Sequence, residues 1–120
     1  MVGLGKDDRA GAESSVTVQR FPTGDVVVHV VGELLNARAM VQAIADVLNP
    51  LLPRLAVDLL EVTRVDLAGV HALTTVAEAA GESDISLCLI VEPGGPVEAA
   101  IAAADLTELF EVFPSINEAW

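Results

Sequence analysis

A chain of 120 residues fits one domain with a single core and is too short for two. Alanine supplies much of its 52% hydrophobic content, aromatics make up 3% and tyrosine is absent, so the core must be built from Val, Leu, Ile and Ala. Eighteen acidic residues against six basic ones give a net charge of −12, and Lys6, Arg9, Arg20, Arg38, Arg54 and Arg64 form no cluster, which disfavours nucleic acid and anionic membranes and favours a protein partner.

Residues 1–13 are rich in Gly and charge without periodicity and are expected to form a flexible leader to a domain over 14–120. They carry no apolar stretch of the secretory type, and no apolar run approaches the roughly 18 residues of a membrane span. A cytoplasmic protein without membrane insertion is therefore expected. Val16, Val18 and the Arg20-Phe21 pair suggest a first strand, and Pro22-Thr23-Gly24-Asp25 supplies turn chemistry. The β-branched run over 26–31 follows as a second strand, so the two should pair as a hairpin.

Asn36 is a good N-cap, and Met40, Val41, Ile44, Val47, Leu48 and Leu51 recur at the spacing of an amphipathic helix that Pro50 and Pro53 end. The nearly continuous apolar run over 55–60 suits a central parallel strand. After the stretch 61–69, Val70, Leu73, Val76, Ala77 and Ala80 mark a second helix, which Gly81 is expected to close. A fourth strand over 85–91, a third helix opened by Pro96 with Val97, Ala100, Ile101 and Ala104 inward, a short strand within 109–113 and a last helical turn capped by Ser115 complete the chain. The order β-β-α-β-α-β-α-β-α defines an α/β domain with a mixed, mostly parallel sheet and about four helices.

Catalytic and cofactor chemistry is hard to find in this sequence. Gly94-Gly95 precedes a helix but has no lysine to engage a phosphate. His29 and His71 each stand alone, without a His, Cys or carboxylate at metal-ligand spacing, so no metal is expected. The serines sit in no nucleophile elbow. A phosphoacceptor receiver domain has comparable length and acidity, but it requires a late lysine, and Lys6 is the only lysine. The lone Cys88 lies in an apolar run, where a thiol behaves as a small buried hydrophobe. A protein with no enzymatic activity and no cofactor is expected.

The stretch from Val57-Asp58-Leu59 through Val65-Asp66-Leu67-Ala68-Gly69 to Val70-His71-Ala72-Leu73 resembles the signature L-D-L-x-x-V-x-x-I-D-S-S-G-L-x-x-L of STAS domains, the family of anti-sigma factor antagonists. Gly32-Glu33-Leu34 resembles the family's G-E-L-D, and the tail from Ala104 to Ala119 resembles its G-L-x-x-L-F-x-x-x-x-S-x-x-E-A ending. The resemblance covers about 14–120. It implies a STAS-like fold and a bacterial cytoplasmic regulator that binds an anti-sigma factor of the kinase type and so frees a sigma factor; a homodimer is compatible with it.

Two departures concern the site. Where the family carries its phosphorylated serine this chain has Leu67, followed by Ala68, and Leu35 replaces the acidic residue of G-E-L-D. The resemblance places Glu33, Asp66, Leu67, Ala68, Gly69 and His71 at the partner-binding face, with no phosphorylation at position 67. Leu67 either belongs to a docking face or packs into the core, and an exposed Leu67 would favour the docking face. Alternatives are a STAS subunit of a lipid-transport or stress-signalling assembly, and a small-ligand or nucleotide sensor, which requires a pocket with convergent polar groups.

Overall fold

Strand formation starts where β-branched residues begin to alternate. The computed structural model describes residues 15–35, 37–49 and 51–120; the expected leader and the Asn36 cap lie outside the described residues. Strand β1 (Ser15–Arg20) pairs antiparallel with β2 (Val26–Leu34), with Val16 opposite Val30 and Gln19 opposite Val27. The turn between them closes through the Gly24 N–H, which donates to the Phe21 carbonyl, and Gly24 takes φ 94°, a value that glycine adopts without steric cost. The expected hairpin is present.

The remaining elements are α1 (Arg38–Val47), β3 (Arg54–Val65), α2 (Leu67–Glu82), β4 (Ser86–Ile90), α3 (Pro96–Ala103), a 3₁₀ turn (Thr107–Leu109), β5 (Val112–Phe113) and α4 (Ile116–Ala119). The strands lie in sheet order β1-β2-β3-β4-β5, antiparallel at the first pairing and parallel at the other three. Because each crossover steps to the next strand in the same direction with the same hand, α1, α2 and α3 fall on one face of the sheet. Their buried side chains, including Met40, Ile44, Leu73, Val76, Val97 and Ile101, meet Val26, Val28, Val30, Leu55, Val57 and Leu59 in the main core. The chain is thus a single α/β domain with a mixed five-stranded sheet and four helices.

Several boundaries differ from the sequence expectation, each for a local reason. β3 continues five residues beyond Leu60, and β2 three beyond Val31. Register shifts between His29 and Val31 and between Gly32 and Glu33 each leave an extra residue in β3, so the alternation changes phase and Leu59 and Val62, three apart, both turn inward. Gly32 accommodates the second shift with φ 105°. Gly81 does not close α2. It lies within the helix with open space around it, and the left-handed residue that ends the helix is Asp84, φ 58°, with the Ile85 N–H returning to the Ala80 carbonyl. Strand β5 is limited to Val112–Phe113, because 107–109 wind into the 3₁₀ turn.

The opposite face of the sheet carries a smaller core of Val27, Ala56, Cys88 and Ile90 under Phe21, Phe113, Ile116 and Trp120. Cys88 is buried there, and desolvation pushes its thiol up to about 11, in keeping with a packing role. At the start of β3, Arg54 holds the buried Asp25 through two bonds, Nε to Oδ1 at 3.2 Å and Nη2 to Oδ2 at 2.6 Å. Its guanidinium also lies 4.5 Å from the centre of the Trp120 ring, tying the last helical turn to the sheet.

The Arg54 hydrogen bonds, followed by that from Thr23 Oγ1 (2.8 Å), hold the Asp25 carboxyl below its ordinary range. A depressed folded-state pKa contributes stability that is fully present above the unfolded value of about 3.9 and is lost as pH falls through the folded value. Asp25→Asn should therefore lower the urea midpoint at pH 7. Between pH 5 and pH 2 the variant's midpoint should fall less steeply than that of the unsubstituted chain. Parallel midpoint curves would show that Asp25 is not the group titrating.

Candidate functional site

Helix α2 begins where a carboxylate can satisfy its free N–H groups. Asp66 stands at the N-cap in an extended conformation, and the Gly69 N–H donates to its Oδ1 at 2.7 Å. The next turn is pressed against the end of β2. A Cβ on Gly69 would lie 2.2 Å from the Leu34 carbonyl oxygen and 3.1 Å from Val65 Cγ1, so only glycine fits. The Asp66 N–H also reaches that Leu34 oxygen at 3.4 Å. The end of β2, the end of β3 and the start of α2 are thereby locked together.

This lock sets the direction of the neighbouring side chains. With Gly69 and Val70 facing inward, Leu67 is left 79% exposed, and Ala68 and His71 are exposed beside it. Leu67 does not pack into the core, and its exposure favours the docking-face alternative. Leu67, Val70, His71 and Thr74 recur at the three- and four-residue spacing that puts them on one side of α2. Facing them are Ala104 and Leu106, and together with Ala68 they line a groove of ≈ 750 Å³. Among the described residues only His71 and Thr74 bring polar side chains to it, and the Thr74 hydroxyl already donates to the Val70 carbonyl at 3.2 Å.

The second wall comes from the way α3 ends. Asp105 takes φ 61°, its N–H donates to the Ala102 carbonyl, and the Leu106 N–H donates to the Ile101 carbonyl. This paired closure of a helix end turns the chain and points Leu106 toward α2. Sequence reasoning missed Val70, Thr74, Ala104 and Leu106 as groove residues. The first two follow from the helical spacing from Leu67; the last two depend on tertiary packing.

Of the six residues expected at the partner face, the structure brings Leu67, Ala68 and His71 to the groove, with Asp66 and Gly69 in the turn that supports it. Glu33 is not part of the groove lining. It lies on β2 opposite Arg64, with Oε2 3.5 Å from Nη1, a partly exposed pair of little energetic weight.

His29 does not stand alone, contrary to the expectation. Cross-strand register brings Nδ1 within 2.9 Å of Asp58 Oδ2, and Nε2 lies 2.9 Å from Gln19 Oε1. These groups border a second cavity of ≈ 210 Å³ with Phe21, Leu60, Ile90 and Ile116. Among the described residues no group of three or more His, Cys, Asp or Glu is placed to hold a metal, and no helix is long and apolar enough to cross a membrane.

The comparisons agree with this architecture. A family model described as "Mlab, STAS domain" matches residues 17–112, and the chain belongs to the STAS domain family. An anti-sigma factor antagonist from Mycobacterium paratuberculosis is similar in structure, with a TM-score of 0.77 and 25% identity over 88% of this chain and 90% of that one. A proposed anti-sigma factor antagonist from Thermotoga maritima gives a TM-score of 0.75 at 16% identity, covering 87% and 90% of the two chains. The fold also recurs in a sulfate transporter family protein from Wolinella succinogenes, with a TM-score of 0.66 and 18% identity over 84% of this chain and 85% of that one. No curated protein matches the sequence.

Gly69→Ala tests the lock. The added methyl must displace a backbone carbonyl, and overpacking of this kind costs about 1–3 kcal/mol. Chemical denaturation should show a loss in that range, with the α2 amide signals shifting. An unchanged midpoint would mean that α2 can move away from β2 freely.

Proposed function

We propose that the chain is a cytoplasmic, non-catalytic regulator that binds an anti-sigma factor of the kinase type and so frees a sigma factor, without control by serine phosphorylation. The observation that carries this reading is Leu67, 79% exposed at the first position of α2 beside an apolar groove. Large apolar side chains held out of a core commonly mark contact surfaces when grouped. The 25% identity to an anti-sigma factor antagonist over most of both chains supports the choice of partner class.

Phosphorylation of a hydroxyl at this position would add about −1.5 to −2 charge to a contact surface and break it by repulsion and desolvation. Leucine has no oxygen to take a phosphoryl group, so binding here would follow abundance or another signal. A second reading, a STAS subunit in a transport assembly, is favoured by the likeness to the sulfate transporter family protein and to the murine Slc26a9 anion transporter. The latter match has a TM-score of 0.64 at 19% identity and covers 90% of this chain and 21% of that one.

The test is capture of partners by the tagged chain, with mass spectrometric identification and Leu67 variants in parallel. A kinase-type anti-sigma factor should be recovered. Leu67→Asp should weaken its binding at least about tenfold, which is about 1.4 kcal/mol. In Leu67→Ser the partner should transfer the γ-phosphoryl group of ATP to the introduced hydroxyl, releasing ADP and a proton, and then dissociate. Transporter subunits as the Leu67-dependent partner would overturn the anti-sigma assignment in favour of the second reading.

A further inference from the structure

The groove beside Leu67 has a chemistry that narrows what can fill it. Its floor and walls are aliphatic, from Leu67, Val70, Ala104 and Leu106. Its surroundings are acidic. Asp66 precedes Leu67, Asp105 stands between the two wall residues, Glu108 follows in the 3₁₀ turn, and Glu78 lies one helical turn beyond Thr74; all four are exposed. The cations of the described chain are placed elsewhere. Arg54 is bound to Asp25 and Arg64 to Glu33, and neither Arg20 nor Arg38 lines the groove.

The groove walls carry no strand edge. One wall is a helix, and in the other the N–H groups of Ala104, Asp105 and Leu106 donate to the carbonyls of Ala100, Ala102 and Ile101. A strand added to a domain needs a free edge of N–H and C=O groups, and these walls offer none. Recognition here must run through side chains. From Leu67 to Thr74 the helical wall is roughly 10 Å long, which two turns of a partner helix would match.

Building on the docking reading above, we propose that the groove receives a basic amphipathic helix of the partner, with apolar side chains at i, i+3 or i+4 seated between Leu67 and Leu106 and Lys or Arg meeting Asp66, Asp105 and Glu108. Asp66 already places a carboxylate at the start of α2, so an anionic group there would meet like charge. The charge complementarity selects the sign of the partner, and the apolar floor selects its amphipathic pattern.

The experiment uses three synthetic 18-residue peptides titrated into the ¹⁵N-labelled full chain at physiological salt. One is a Leu/Lys sequence with leucines at helical spacing, one replaces each Lys by Glu, and one scrambles the Leu/Lys order. The patterned Leu/Lys peptide should bind, with amide shifts concentrated at 67–74 and 104–109. Leu67→Ala should weaken binding about tenfold, and Asp105→Asn with Glu108→Gln at least threefold with a shallower salt dependence. Leu60→Ala on the opposite sheet face should leave it within twofold. Equal binding of the scrambled or Leu/Glu peptide, or shifts centred on the other face, would overturn the proposal. Failure of the patterned peptide, with a captured protein partner still dependent on Leu67, would remove the helical occupant and leave the docking reading standing. A captured partner indifferent to Leu67 would remove both.

Discussion

The contact on which the groove end of the molecule depends is the Leu34 carbonyl against the Cα of Gly69. A Cβ there would sit 2.2 Å from the oxygen, a distance no side chain can occupy. Two strands and a helix converge at this point. β2 ends with the buried Leu34, β3 ends with Val65 paired to it, and α2 starts one residue after Asp66. The two register shifts make the convergence geometrically possible. By lengthening β3 relative to β2, they bring its end round to where Asp66 can reach the Leu34 oxygen and cap the helix at the same time.

Once that contact is made, the first turn of α2 has little rotational freedom. The residue at position 69 must face the strand end, so the residue two before it faces outward, whatever its chemistry. A serine at position 67 would present a hydroxyl to a visiting kinase; the leucine present here offers aliphatic surface. The same backbone therefore supports two kinds of surface, one switchable by charge and one that removes water from an apolar contact. The second wall of the groove, set by the left-handed Asp105, gives that leucine a neighbour in Leu106.

Periodicity carried the strand–helix order of this chain a long way, because α1, α2 and α3 each bury a stripe and each central strand a continuous apolar run. The Ser115 cap was legible from residue type alone, and it is present. The tail of β3 was not, since alternation is the only signal a strand of that composition gives and the bulges break it between Asp58 and Glu61. Gly81 misled for a related reason. Glycine is the usual residue to end a helix, but here Asp84 takes the left-handed position and Gly81 remains helical. His29 and Asp58, 29 residues apart, meet only through strand register, and Ala104 and Leu106 reach α2 only through packing. Nothing local encodes either.

The Asp25–Arg54 pair and the apolar groove lie at different ends of the sheet. The Asp25–Arg54–Trp120 group ties together the start of β2, the start of β3 and the last helical turn, while the residues that face the groove project beyond the strand ends. Residue 67 contributes little to folding. Its side chain is mostly in water, the cap belongs to Asp66 and the close approach belongs to Gly69. Exchange of a serine for a leucine at such a position changes the surface without taxing the core, since exposed helix positions away from caps and packing contacts usually alter stability by less than about 0.5 kcal/mol. A serine and a leucine at position 67 are therefore both compatible with this fold.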